Sequence, residues 1–574
     1  MNKLLASALA LLLAGCASIP PAKHDQARAF AEARRSHDVA CADPAGCGLP
    51  SPFMDLEQLP ADVPLTDLIL LDQGQDALLL RLHMIESAKR SIDFQVYIFD
   101  LDESGILVMD ALIRAAQRGV KVRLLLDQLY GLNRPRMQAK LAALHRNFEL
   151  KLYSPMFNQA EISDAEFFAG IVFRFQSLNQ RMHTKLLLVD GGAALIGGRN
   201  IQDRYFDWDP DYNYRDRDLW VSGPVTAEMA ENFNAFWNSE RSLAAVDLDD
   251  VAVELLKAQD DPDKLALPQR GYTARMDAAL AMARDGPTLL KQLAPYLRTV
   301  DNAAFFADLP EKHAEESDSR TRASNAVYQV ISEAQDSVLI QTPYLVMSRL
   351  ARQTFRGLQN RDAPVKVWVS SNSLAATDAF PVYALSHKYK RLYLRELGFR
   401  IFEFKPYPAS VSMRTGQGDA QIRAGLHAKS MVVDEHIAVI GSHNFDPRSD
   451  DYNTESLLLV EDDAFSRLLS DSIRNDMLPG NAWAIAPRAS LPGLADFNYT
   501  MGKWSEKLPV FDVWPWPYAT SYEISPDCPL IDFTDPGFSA CSRAVGDFPE
   551  INMSAKAVYT RIVTAFGAGL EPIL

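Results

Sequence analysis

His183-Thr-Lys185-Leu-Leu-Leu-Val-Asp190 and His427-Ala-Lys429-Ser-Met-Val-Val-Asp434 say nearly the same thing twice. In both, a lysine follows the histidine by two, an aspartate follows the lysine by five, and an asparagine (Asn200, Asn444) follows the aspartate by ten. From His183 to Asn200 and from His427 to Asn444, eight of eighteen positions are identical, including Ile196-Gly197 and Ile440-Gly441. A single such pattern could arise by chance. Two copies with matching flanks point to an internal duplication of a catalytic unit.

The flanks repeat as well. Before the first copy, Ala77 to Ala88 has helical spacing, and Ser91 to Phe99 alternates as a strand. Gly105 to Arg118 is expected as a helix closed by Gly119, and Val120 to Leu126 as a buried strand. Strand, helix, strand in that order implies a right-handed βαβ unit and a largely parallel sheet. Around the second copy the same parts recur: helix (324–334), strand (337–342), helix (348–359), strand (365–370), helix (380–398), strand (400–404). The expected fold is therefore α/β: two pseudo-twofold-related lobes, each a mixed sheet flanked by helices, meeting so that the two motifs share one cleft.

The chain of 574 residues divides on this reading into a signal peptide (1–15), a tether (16–60) with a short helix near Gln26 to Arg35, and a first lobe (61–242). An acidic helical connector (243–318), lying over the cleft, a second lobe (319–485) and an aromatic, cysteine-bearing extension (486–574) follow. In the first lobe, Phe157, Phe167, Phe168, Phe173 and Phe175 crowd one stretch; core packing is the commoner explanation, a surface for apolar substrate chains the other. For Ala555 to Leu570 and the Val513-to-Tyr518 segment, packing against the lobes is preferred to a role at a membrane interface.

Lys3, the apolar run Leu4 to Leu13 and the sequence Leu13-Ala14-Gly15-Cys16 resemble a bacterial lipobox. That resemblance implies lipidation of Cys16 and a membrane anchor, and Ala17 after it implies sorting to the outer membrane, facing the periplasm. Export implies an oxidising compartment. The remaining cysteines form two close pairs, Cys41 with Cys47 and Cys528 with Cys541; these local pairings are favoured, with a bridge between the two regions left open. A net charge of −16 argues against a nucleic-acid partner, which needs a basic face.

The chemistry follows from the residue types. Strand alternation turns His and Lys to one side, where the lysine supplies charge to a phosphate, the asparagine amide a hydrogen bond, and the imidazole a nucleophile or proton carrier. His183, Lys185, Asn200, His427, Lys429 and Asn444 are the candidate catalytic set. Asp190 and Asp434, an odd step along each strand, are expected to face away and hold structure. Each histidine also needs a carboxylate on its other ring nitrogen: aligning the strands after the motifs offers Asp216 for His183, with Asp218 as substitute, and Glu455 for His427.

These residues resemble the phospholipase D superfamily over about residues 65 to 480. Arg181-Met-His-Thr-Lys185 with Gly197-Gly-Arg-Asn200, Asn372 to Asp378 and Leu426 to Asp434 are similar to its cardiolipin synthase C branch. The resemblance implies phosphatidyl transfer between phospholipids through a phosphohistidine, without metal or other cofactor, His183 as nucleophile and His427 as acid and base. Hydrolysis to phosphatidate uses the same intermediate, and a nuclease is the third reading. The sequence departs from its own repeat at Gly198, where the second copy has Ser442.

Overall fold

The computed structural model describes residues 19–41, 43–54, 65–268, 271–314, 322–409, 422–488 and 518–550. Two large mixed sheets dominate it. Edge to edge, the first runs Leu297–Val300, Thr66–Leu71, Asp218–Ser222, Ala193–Gly197, Leu186–Val189, Ser91–Phe99, Lys121–Gly131, Phe148–Tyr153 and Ser242–Ala244. The second runs Ala303–Ala307, Ser456–Glu461, Ile437–Gly441, Ser430–Val433, Ser337–Gln341, Lys366–Asn372, Phe399–Phe404, Ala482–Pro487, Ala519–Ile524 and Ser542–Gly546. From Thr66–Leu71 to Ser242–Ala244 in the first, and from Ala303–Ala307 to Ala482–Pro487 in the second, the eight strands correspond one to one. Duplication therefore governs the whole lobe and not only the motif.

The inner three strands of each lobe are parallel, as a strand–helix–strand order requires, and the motif strands join them antiparallel. Apart from Ser430, the motif strands are apolar on both faces, and the period of two divides those faces. Leu186, Leu188 and Ile196 of the first sheet meet Val432, Ile440 and Leu458 of the second in one shared core, closed by the helices Thr226–Asn238 and Asp463–Met477. The alternate residues, Leu187, Val189 and Leu195 in one lobe and Met431, Val433 and Val439 in the other, pack under each lobe's own outer helices. The two sheets thus pack face to face with helices outside. Between the lobes runs a buried polar seam: Arg217 Nη1 donates to Gln341 Oε1 (2.7 Å) and Ser430 Oγ (2.9 Å), and Arg215 pairs with Asp476 at 3.1 Å.

Several segments differ from expectation. The described part of 243–318 packs on the first lobe instead of lying over the cleft: its helices Asp249–Lys257, Ala274–Ala283 and Gly286–Leu293 bury Val251, Leu255, Met276, Leu289 and Leu293 in the first lobe's core. It then sends one strand to the edge of each sheet, Leu297–Val300 beside Thr66–Leu71 and Ala303–Ala307 beside Ser456–Glu461. Acidic composition masked the apolar stripe that docks these helices. Likewise the tether helix, Pro21–Arg34, lies on the first lobe with Ala27 and Ala31 buried. Part of the extension belongs to the second sheet, through Ala519–Ile524 and Ser542–Gly546. The helix expected over 380–398 ends as Phe380–Lys388, followed by a wider turn at Leu392–Glu396.

The phenylalanine-rich stretch is the clearest correction. It forms the helix Asp164–Phe173, and Phe167, Phe168 and Phe173 are exposed rather than packed in a core. Cys41 with Cys47 and Cys528 with Cys541 lie at disulfide distance, with Cα–Cα separations of 6.3 and 6.0 Å. No helix among the described residues is long and apolar enough to cross a membrane. Cys16 and residues 555–570, like most of 513–518, lie outside the described residues.

Candidate active site

Each motif begins where its chain crosses to the other lobe. Met182 forms a parallel bridge with Thr454, and the His183 N–H donates to the Thr454 carbonyl at 3.0 Å. In the equivalent place of the other lobe Arg423–Leu426 runs parallel to Tyr212–Arg215, and the His427 N–H donates to the Arg215 carbonyl at 2.8 Å. One residue further along each pair, the register sets His183 beside Glu455 and His427 beside Asp216.

The side chains complete that register. His183 Nδ1 lies 2.9 Å from Glu455 Oε2, and His427 Nδ1 lies 2.6 Å from Asp216 Oδ2. This reverses the expected assignment, in which Asp216 served His183 and Glu455 served His427. Asp218, the expected substitute, instead holds Arg81 and Arg199. The reason is topological: aligning the repeats identifies equivalent carboxylates but not which lobe's histidine each one meets. Both carboxylates accept, so each histidine carries its proton on Nδ1 and leaves Nε2 for chemistry.

Burial dominates the electrostatics. Both histidines are 7% exposed, and Asp216 and Glu455 are fully buried. Burial pushes the His183 imidazole down to about 3, against the pull of Glu455. Burial likewise lowers His427, reinforced by the Lys429 ammonium and opposed by Asp216. Burial alone would raise Glu455, but the His183 contact holds it down at about 2. Asp216 is held well below the usual carboxylate range, burial being outweighed by His427 and Lys429. The resting pairs are thus neutral imidazole against carboxylate.

Lys185 Nζ donates to the His183 carbonyl and Lys429 Nζ to the His427 carbonyl, each at 2.5 Å. Lys429 Nζ is also 3.2 Å from His427 Nε2. Burial depresses both ammonium groups, Lys185 to about 7, and the charge of Lys429 is felt across the lobe boundary, on His183 and on Lys185. An anion between them would relieve that mutual repulsion. The asparagines differ. Asn200 Oδ1 accepts from the Ile98 N–H (3.0 Å), and its amide donates to Tyr205 (2.9 Å). Asn444 Oδ1 is buried and has no hydrogen-bond partner among the described residues, an acceptor left unpaired.

Asp190 and Asp434 sit in the turns that end the motif strands, both at φ 53°. Their carboxylates accept from the N–H groups of residues 89, 90 and 91, and of 335, 336 and 337, fixing the start of the neighbouring strand in each lobe. Aromatic rings surround the histidines: Tyr97 stands edge-on to His183 at 5.2 Å, and Tyr205 and Tyr214 each lie 5.1 Å from His427. Nothing in the motif spacing marks these tyrosines. Ser442 is a further missed residue, its hydroxyl donating to Glu455 Oε2 at 2.5 Å. The repeat comparison contained its signal, the Gly198/Ser442 difference.

A family model described as cardiolipin synthase, PLD-like domain, matches residues 82–237 and 327–477, one segment in each lobe. An uncharacterised protein of Helicobacter pylori strain J99 is 30% identical over 413 residues, spanning 71% of this chain and 78% of that one. Cardiolipin synthase C of Escherichia coli K12 is 29% identical over 409 residues, spanning 70% and 82%. A crystal structure of phosphatidylserine synthase from Haemophilus influenzae superposes with a TM-score of 0.46 at 16% identity, over 73% of this chain and 86% of that one. Matched in both lobes, across the two strand-and-helix units that carry the crossed histidine–carboxylate pairs, the chain belongs to the cardiolipin synthase, PLD-like domain family.

Proposed function

We propose that this enzyme transfers a phosphatidyl group from one phospholipid to the hydroxyl of an alcohol, such as the headgroup of phosphatidylglycerol, through a phosphohistidine. The observation that carries the reading is the crossed pairing, His183 with Glu455 and His427 with Asp216, which makes one site from two half-sites. The neutral Nε2 of His183 attacks phosphorus, a P–N bond forms, and the P–O bond to the departing headgroup breaks. His427, paired with Asp216 and protonated once substrate is bound, hands that oxygen its proton. Burial lowers the resting pKa of His427, so the phosphate anion of the substrate supplies the charge that lets it hold a proton. In the second half His427 takes the proton of the acceptor hydroxyl, the oxygen attacks phosphorus, and the P–N bond breaks. Lys185 and Lys429 balance the phosphate charge, and the Asn444 Nδ2–H donates to one of its oxygens.

Water in the acceptor's place gives phosphatidate by the same route. The small exposure of both histidines favours an alcohol delivered with its own lipid. Lipidation of Cys16, export through the leader, two disulfides and an outer-membrane position facing the periplasm complete the proposal; the lipobox-like sequence and the disulfide-distance cysteine pairs support them. Mass spectrometry of products formed from mixed phosphatidylethanolamine and phosphatidylglycerol tests the reaction. Cardiolipin with released ethanolamine or glycerol is expected. Phosphatidate alone makes the enzyme a hydrolase, and no product with wild-type protein sinks the reading.

A further inference from the structure

The helix Asp164–Phe173 has the wrong surface for an acidic protein in water. Phe168 is 68% exposed, Val172 54% and Phe173 70%, with Phe167 and Ile171 also exposed, so apolar side chains emerge around most of its circumference. Such a helix is ordinarily buried in a core or in lipid. It is nonetheless well built. Ser163 and Glu166 form a reciprocal capping box, and Gly170, the one buried residue of the helix, sets its backbone against Met156 and Leu178. Gly170 faces the protein, and the five exposed apolar side chains are presented outward.

Its position supplies the occupant. The loop leading into it is pinned by Asp250, whose carboxylate accepts from the N–H groups of Ala160 (2.9 Å) and Glu161 (3.0 Å). The adjacent Asp249 holds the N-terminal arm, accepting from the Ile19 N–H at 3.4 Å and contacting His24 at 2.8 Å. Ile19 is three residues from Cys16, a reach of about 10 Å at most. Neighbouring residues of one helix, Asp249 and Asp250, thus hold both the arm that leads to the proposed anchor and the loop that leads into the apolar helix. Downstream, exposed Arg174 follows the helix, Phe175 packs edge-on against Tyr452 at 6.2 Å, and the chain runs on to His183 while Tyr452 precedes Glu455.

We propose that Asp164–Phe173 enters the outer layer of a phospholipid bilayer, with Arg174 at the headgroup phosphates, and opens the cleft directly onto the lipid from which substrate is drawn. The role in substrate delivery rests on the phospholipid reading of the site; insertion itself does not.

The test uses the full-length lipidated protein in vesicles of phosphatidylethanolamine and phosphatidylglycerol. A polarity-sensitive dye on Phe168→Cys is expected to shift to the blue and to be quenched by nitroxides on the acyl chains. The same dye on Leu350→Cys, at an exposed apolar position of the second lobe, is expected to do neither. Equal behaviour at the two positions overturns the proposal, as does a blue shift that grows with protein concentration instead of lipid, which would make the helix a contact between copies of the chain. The triple change Phe168→Ser, Val172→Ser, Phe173→Ser is expected to lower turnover on vesicles by about tenfold while leaving turnover of a monomeric short-chain phospholipid within about twofold. Equal loss on both substrates, or on neither, overturns the delivery role. If wild-type protein turns over neither substrate, the catalytic reading has failed, while the dye still decides insertion.

Discussion

The two half-sites descend from one unit and solve the same problem differently. Behind His183 the carboxylate is Glu455; Ser442 Oγ donates to it and accepts from the Ser456 N–H at 3.0 Å. Behind His427 the carboxylate is Asp216, one methylene shorter, and its own Oδ1 accepts directly from the Arg217 N–H at 2.7 Å. The position of Ser442 is taken there by Gly198, where a β-carbon would fall on the Asp216 carboxylate. Glutamate with serine, or aspartate with glycine, thus fills one volume and satisfies one backbone donor. The missing serine of the first repeat is half of a compensated pair. Duplication fixed the frame, and the two acids diverged inside it.

The largest effect expected breaks the comparison at the histidines. His183→Ala and His427→Ala should each lower turnover by at least about a thousandfold. They should part company with a substrate whose leaving group departs without a proton. His427→Ala is then expected to accumulate a protein adduct heavier by one phosphatidyl group, and His183→Ala to form none. Intact-protein mass spectrometry reads the difference, and an adduct in His183→Ala would exchange the two roles. Next come the carboxylates. Glu455→Gln and Asp216→Asn keep shape but favour the wrong tautomer, with losses on the order of a hundredfold or more. Because the pairs cross, Asp216→Asn should leave adduct formation from that activated substrate largely intact and slow the release of adduct to alcohol; Glu455→Gln should slow its formation. Rapid-quench kinetics separates the two, and the uncrossed assignment requires the opposite pattern.

Much of this frame was legible in the residues. The repeated order of parts around His183 and His427 carried the two-lobed fold, although the motif strands begin at Leu186 and Ser430, after the His-Lys pairs that alternation had placed on them. The odd step from Lys185 to Asp190 set that aspartate apart from the histidine, and its carboxylate is found on three backbone N–H groups. The crossing was not legible, because it is made by backbone pairing between lobes, Met182 with Thr454 and Leu426 with Arg215, which leaves no trace in the linear order. The strand Ala303–Ala307 was hidden by acidic neighbours. Phe168 and Phe173 misled in the other direction, since an apolar helix reads alike whether a core or another medium covers it.

Smaller effects sharpen the glycine–serine contrast. Gly198→Ala should cost about 1–3 kcal/mol of stability through the clash with Asp216, together with activity. Ser442→Gly creates no clash and removes one donor from Glu455, so activity is expected to fall by about tenfold with a smaller change in urea midpoint. Equal destabilisation by the two changes would mean that the half-sites do not differ in packing.

The mildest test is pH. Burial pushes His183 to about 3, whereas a free imidazole titrates near about 6.5. Between those values the unfolded chain binds a proton that the folded chain refuses, so stability rises with pH across that window and is lost on acidification. Glu455, held at about 2, works in the same sense between there and the ordinary carboxylate range, since folding favours its ionised form. Wild-type protein should therefore show a lower urea midpoint at pH 5 than at pH 7, and the drop should be smaller in His183→Gln. That variant loses the buried imidazole and leaves Glu455 without its partner, which raises the carboxylate and removes its share of the acid sensitivity too. An unchanged drop would place the acid-labile group elsewhere, with His443 excluded because its contact with Asp450 raises its pKa, which gives stability of the opposite pH sign.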